Sequence, residues 1–216
     1  LGGFQRSQLA AITQEGLVTA WDPSANGLVM TLAEKDGKIY AGGQFISMRV
    51  FPRQHLACLD TVSGSPTSWN PSSDQPVLTL CLSGSQAYAG GYFTSVGGQN
   101  RRNLAAFDAS GRLTAWSPRA DSDVTTLAIA ANNDVIAGGS FLNINSRTRY
   151  RLAAIDQNGD LKLWRPAVNR EVRKVLVNAG NIYVAGGFTL IDGNARSFIA
   201  AFNEALSINS WNPSAN

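Results

Sequence analysis

The chain has 216 residues, 44% apolar and only 15% charged, with 21 glycines and a formal net charge of +3. That length accommodates one large all-β domain or two small ones, and low charge with abundant Gly, Ser, Asn and Thr is the balance of a turn-rich β protein. Basic residues are scattered instead of clustered, which argues against a nucleic-acid surface. No apolar run approaches the ~18 residues of a membrane span. The single histidine, His55, leaves no basis for two-histidine metal sites or His-dependent nucleophile triads, and no cofactor or metal is expected.

The chain opens on Leu1-Gly2-Gly3-Phe4, which looks like the tail of an Ala-Gly-Gly-Phe unit and reads as a piece excised from a longer polypeptide. Leu9 to Thr13 and Trp21-Asp22-Pro23 follow. From there four landmarks recur in fixed order. The first is an apolar run, Leu28 to Leu32, returning at 77–82, 124–129 and 172–177. After a turn rich in Gly, Asn or Asp comes Tyr40-Ala41-Gly42-Gly43 with Phe45, which returns at 88–93, at 136–141 and, one residue shorter, at 184–188. The alanines at 41, 89, 137 and 185 stand 48 residues apart. The third landmark is Leu56-Ala-Cys-Leu-Asp60, repeated at 104–108, 152–156 and 199–203; the fourth ends in Trp-x-Pro at Trp69, Trp116, Trp164 and Trp211.

Each apolar run is short and bounded by Gly, Pro, Asn or Asp, so none has room for a helix, and the diglycines and prolines exclude helical repeats. Four short strands in about 48 residues is the sequence pattern of one β-propeller blade. The predicted fold is therefore a single all-β domain, 1–216: a half blade at 1–23 and whole blades at 24–71, 72–118, 119–166 and 167–216. The half blade leaves one strand hairpin to be supplied, either by further sequence or by another chain through strand sharing.

A diglycine on the second strand with a nearby aromatic is a Kelch-like pattern. The run Val124-Thr-Thr-Leu, Ile136-Ala-Gly-Gly-Ser-Phe141, Arg149, Leu152-Ala-Ala-Ile-Asp156, Gly159 and Trp164-x-Pro166 resembles the delta-60 type of propeller repeat, over the whole chain. That resemblance implies an extracellular or cell-surface home, with the periplasm as an alternative, and carries no shared catalytic residues.

An arginine stands before each third landmark: Arg6, Arg53, Arg101, Arg149 and Arg196. With Trp21, Trp69, Trp116, Trp164 and Trp211 they read as structural repeat residues, the arginines clamping neighbouring blades through carboxylate or carbonyl bonds and the tryptophans packing between blades. Asp60, Asp108 and Asp156, each followed by glycine, read as turn residues. Cys58 and Cys81 fall where sister repeats carry small apolar residues and read as core, with a disulfide as the alternative. Asp121, Asp123 and Glu171 are the only carboxylates suited to catalysis or calcium. The loops between second and third strands vary most, and variable loops on a rigid scaffold are where binding resides. Arg49, Phe51, Arg147, Tyr150 and Arg151 are the candidate binding residues there. The function expected is a non-catalytic recognition or structural module with a protein or glycan partner; a strand-shared subunit of an extracellular assembly and a glycan-acting enzyme are the alternatives.

Overall fold

The computed structural model describes residues 5–203 and 205–213; the Leu1-Gly2-Gly3-Phe4 stretch lies outside them. The described residues form no helix, and five short strands occur in each of four repeats. The first repeat holds β1 (Val29–Lys35), β2 (Lys38–Gly43), β3 (Ser47–Met48), β4 (Phe51–Pro52) and β5 (Leu56–Asp60). The second holds β6 (Val77–Ser83), β7 (Gln86–Gly91), β8 (Ser95–Val96), β9 (Gln99–Asn100) and β10 (Leu104–Phe107). In the third lie β11 (Val124–Ile129), β12 (Val135–Gly139), β13 (Asn143–Ile144), β14 (Arg147–Thr148) and β15 (Leu152–Ile155). The fourth contains β16 (Val172–Asn178), β17 (Asn181–Gly186), β18 (Leu190–Ile191), β19 (Asn194–Ala195) and β20 (Ile199–Phe202). In every repeat the first, second and fifth strands make a three-stranded antiparallel sheet with the second in the middle, and the third and fourth make a separate hairpin. Two-residue turns close the long hairpins of the first, second and fourth repeats, and residues 130–134 close that of the third; in the first, Asp36 and Gly37 both take positive φ, 51° and 69°, matching the right-handed twist of the strands they join.

The structure corrects the four-strand reading of each repeat. The segment leading to each tryptophan is reduced to an isolated bridge, as at Leu59 with Pro66, Phe107 with Leu113 and Ile155 with Leu161. Around that bridge the Thr67 and Thr114 N–H groups still donate to the Cys58 and Ala106 carbonyls, but beyond it side chains take the backbone groups. The Thr67 and Thr114 hydroxyls accept from the Trp69 and Trp116 amides, while Arg53 and Arg101 donate to the Thr67 and Thr114 carbonyls. Such local bonds compete with strand pairing, and the proline after each tryptophan has no ladder donor to offer.

The alignment of the fourth repeat also changes. Gly43, Gly91, Gly139 and Gly186 pair with Val29, Val77, Val124 and Val172. Structurally, Ala185 therefore occupies the place of Gly42, Gly90 and Gly138, and Tyr183 that of Tyr40, Tyr88 and Ile136. The reason lies in the following repeat and in the threonine on the neighbouring strand. A Cβ built at Gly42, Gly90 or Gly138 would lie 2.8, 2.7 or 2.7 Å from Cγ1 of Val77, Val124 or Val172 in the next repeat. The same Cβ would stand 2.8 Å from Cγ2 of Thr31, Thr79 or Thr126. Among the described residues no following sheet presses on Ala185, and Lys174 stands opposite it in place of the threonine, so a methyl group is tolerated.

A second contact ties the same junctions. The hydroxyls of Thr31, Thr79 and Thr126 accept from the backbone N–H of Leu80, Leu127 and Val175, one repeat on, at 3.2, 3.0 and 3.0 Å. In the fourth repeat the corresponding residue is the exposed Lys174. The apolar clusters sit at these junctions. One joins Leu56, Cys58 and Trp69 to Val77, Ala89 and Phe107; the next joins Tyr88, Leu104 and Trp116 to Val124, Ala137 and Ile155; a third joins Ile136 and Ala154 to Val172, Ile182 and Phe202. Leu9 and Trp21 pack on Ala41, Phe45 and Leu59 of the first repeat. A repeat array that buries its apolar surface between neighbours, with no core inside any one unit, is stabilised mainly by its interfaces.

Gly90→Ala is accordingly expected to destabilise the protein by about 1–3 kcal/mol through overpacking against Val124, whereas Ala185→Gly costs no more than about 1 kcal/mol. Urea unfolding midpoints check both, and equal midpoints for Gly90→Ala and the parent protein would refute the junction argument.

Candidate functional site

Each repeated arginine folds inward along its own repeat. Nη1 of Arg53, Arg101, Arg149 and Arg196 donates to the carbonyl of the preceding residue, and Nη2 donates to the carbonyl of Thr67, Thr114, Lys162 and Asn209. Arg6 makes the same pair of bonds to Gln5 and Thr19 and lies 3.9 Å from the Asp22 carboxylate. These bonds tie the hairpin loop to the tryptophan segment within one repeat, where the sequence had led us to expect a clamp between neighbours. Burial holds the Arg53 and Arg149 guanidinium groups below the ordinary arginine pKa.

The bonds between repeats come from elsewhere. Asn103 Nδ2 donates to the Ala120 carbonyl at 3.0 Å, and Arg151 Nη1 donates to the Val168 carbonyl at 2.8 Å, each at the start of the next repeat. The tryptophans do bridge repeats: Trp21 and Trp116 donate their indole N–H to the carbonyls of Asp60 and Asp156. Trp69 stands edge-on to Tyr40 and to Phe107 of the next repeat, at 5.3 and 5.5 Å. Trp164 meets Phe202 at 5.1 Å, and Trp211, partly exposed, meets Tyr183 at 5.5 Å.

The loops between the second and third sequence landmarks turn out to be ordered hairpins, β3–β4, β8–β9, β13–β14 and β18–β19. Asn145-Ser146 and Asp192-Gly193 take positive φ at both turn positions, as does Gly97-Gly98, while Arg49 turns the first hairpin at φ 50°. Each hairpin is pinned twice. Met48, Val96, Ile144 and Ile191 are fully buried beneath it. From the start of the repeat, Asn26, Asp74, Asp121 and Asn169 accept two backbone N–H groups apiece, from Ile46 and Ser47, Thr94 and Ser95, Leu142 and Asn143, and Thr189 and Leu190. Sequence reasoning passed over these buried anchors, although their spacing, 48, 96, 144 and 191, tracks the repeat.

The candidate binding residues divide. Phe51, Arg147 and Tyr150 point into solvent. Arg49 is exposed but engaged, donating to the Asp22 and Ser63 carbonyls and the Ser65 hydroxyl. Arg151 is the inter-repeat tie described above. Beside the second and third hairpins lies a groove of about 470 Å³ lined by Arg102, Arg119, Asp121, Asn143, Asn145 and Ser146; the two exposed arginines there carried no signal beyond scattered charge.

The carboxylates singled out for chemistry are occupied. Asp121 binds the hairpin, Asp123 accepts from the Ser122 and Ser140 hydroxyls, and Glu171 pairs with Arg173 at 2.8 Å. Asp60, Asp108 and Asp156 accept from the backbone two to four residues on, as turn residues do. Among the described residues no three His, Cys, Asp or Glu side chains gather as a metal site. Cys58 and Cys81 are free thiols, and burial pushes Cys81 up to about 12.

No protein-family model and no curated protein matches the chain. Among solved structures it is similar to the computationally designed Ika4 protein, with a TM-score of 0.56 at 14% identity over 82% of this chain and 92% of that one. The computationally designed Ika8 protein is similar with a TM-score of 0.52 at 11% identity, over 84% of this chain and 57% of that one. The extracellular domain of a one-component system from B. thetaiotaomicron has a TM-score of 0.48 at 16% identity, over 87% of this chain and 23% of that one. At these identities the likeness is one of fold alone.

Partial burial raises the Asp74 carboxyl, but bonds from the Thr94 hydroxyl and backbone N–H groups outweigh it and hold the group below its ordinary 3.8. A depressed folded pKa contributes stability that is present above the unfolded value and lost as pH falls through the folded one. Asn169 makes the corresponding bonds in the fourth repeat, donating Nδ2 to the Thr189 hydroxyl. Asp74→Asn is therefore expected to leave stability at pH 7 within about 1 kcal/mol of the parent and to lose less between pH 5 and pH 3, checked by thermal midpoints across that range.

Proposed function

We propose that the chain is a β-propeller segment of the delta-60, Kelch-like type and serves as a non-catalytic recognition or structural module of a secreted or cell-surface protein. The observation that carries this reading is the set of hairpins. Each is fixed from below by one buried side chain and from the side by an Asn or Asp bonded to two amides, while the residues of its second strand, Phe51-Pro52, Gln99-Asn100, Arg147-Thr148 and Asn194-Ala195, differ from repeat to repeat. Rigid presentation with varied tips is the physical requirement of a binding edge, because ordering costs are met by the scaffold before a partner arrives. Phe51 and Tyr150 supply aromatic anchors, and the Arg102–Arg119 groove suits a protein or glycan that presents carboxylates, which guanidinium groups bind bidentately.

A photo-crosslinking amino acid placed at position 51 or 150, in cells that make the protein, is expected to capture one defined macromolecule. The same residue at Lys38, at the far end of β2, should capture none. Identical capture from all three positions would overturn the reading.

The first repeat favours a second reading, in which a further repeat of the same kind covers the face of β1. Leu32 is 51% exposed, whereas its counterparts Leu80, Leu127 and Val175, covered by the preceding repeat, are 6%, 5% and 2% exposed. The partner repeat would carry the glycine that seats Val29 and the threonine that accepts from the Leu32 amide. In material purified from its source the Leu32 N–H should then exchange with solvent as slowly as that of Leu80; fast exchange would sink the idea.

A further inference from the structure

The second strand carries a tyrosine in the same register in three repeats: Tyr40, Tyr88 and Tyr183. Each ring stands edge-on to the tryptophan that ends its own repeat, at 5.3, 5.1 and 5.5 Å from Trp69, Trp116 and Trp211. In the second repeat the hydroxyl is also placed, since Tyr88 donates to Gln86 Oε1 at 2.6 Å. The third repeat breaks both parts of the pattern. Ile136 stands at the tyrosine position and Asp134 at the position of Gln86.

At that junction, between the third and fourth repeats, the structure contains a cavity of about 300 Å³. Ile136 and Ala154 form its floor, Val177, Ile182 and Leu206 its other apolar wall, and the buried Asp134 contributes a carboxylate. Its rim includes the exposed Ala131 and Asn132, so it is reached from solvent. The corresponding clefts at the first and second junctions, about 90 and 270 Å³, include the Tyr40 and Tyr88 rings in their walls and are otherwise lined largely by residues such as Lys35, Lys38, Ser83, Gln86 and Asn133. Only the third is chiefly aliphatic, and its size falls at the lower end of small-molecule sites.

We propose that this cavity is a binding site for a small single-ring phenol. The aliphatic walls take the ring out of water, in the register where the other repeats supply one of their own. The Asp134 carboxylate, held by a 2.8 Å bond from Asn132 Nδ2, accepts the phenolic hydroxyl as Gln86 accepts that of Tyr88. A hydroxyl donor meeting a fixed oxygen acceptor in a partly dry site is the arrangement that separates a phenol from the same ring without its hydroxyl.

The test is a titration of the whole chain with 4-methylphenol, the tyrosine side-chain analogue, followed by NMR of the methyl groups. Saturable shifts at Ile182 and Leu206 are expected, with toluene binding about tenfold more weakly for want of the hydroxyl. Ile136→Tyr restores the residue found in the other three repeats and should fill the cavity, raise the thermal midpoint and abolish the shifts. Should that variant not fold, Val177→Phe fills the same space from the fourth repeat and gives the same readout. Absence of saturable shifts in the parent protein, or shifts that persist unchanged in a folded cavity-filled variant, would overturn the site. Toluene binding as tightly as 4-methylphenol would overturn the role of Asp134.

Discussion

Everything in this chain depends on how closely one repeat can approach the next. At three successive junctions a valine at the start of one sheet lies where a Cβ on the preceding sheet would stand, 2.7–2.8 Å away. The same approach brings a threonine hydroxyl within bonding distance of a backbone N–H of the next repeat. A buried amide left without an acceptor is costly, so glycine and threonine act together: one permits the approach and the other satisfies what the approach buries. The apolar clusters form only because of it, since each draws its members from two adjacent repeats.

That constraint also explains where the repeats differ. The fourth repeat has no following sheet within the described residues, and there alanine and lysine replace glycine and threonine, at positions 185 and 174. Those two positions are the ones that touch the next repeat at the inner junctions. The first repeat shows the converse. Val29, Leu32 and the strand that carries them keep the pattern of the inner repeats, although Leu32 stands half in solvent.

The short hairpins obey a different constraint. A hairpin of two-residue strands is too short to be stable alone. Here it is held by a buried Met, Val or Ile and by an Asx side chain from the inter-repeat segment, and this support leaves the tips free to vary. The arginines that look most like an anion-binding row serve internal carbonyls, whereas Arg102 and Arg119, which follow no repeat pattern, line an open groove.

The sequence by itself determined the period, the all-β class, the turn role of Asp60, Asp108 and Asp156, and the packing of Trp21, Trp69, Trp116 and Trp164 against the following repeat, because each is written in local chemistry that recurs at a fixed spacing. It did not determine which backbone partner each side chain would choose. The tryptophan segment read as a fourth strand, yet it pairs only around one isolated bridge per repeat, and threonine hydroxyls and arginine guanidinium groups take the amides and carbonyls beyond it. Arg151 read as a surface anchor and instead ties two repeats, because its exposed neighbours and its own buried contact with Val168 look alike in one dimension. The shift of the fourth diglycine by one place, the pinning of the hairpins and the cavity beside Ile136 were decided only in three dimensions. Each depends on what the adjacent repeat presents across the junction, and contacts between residues roughly 48 apart leave no mark in the local sequence.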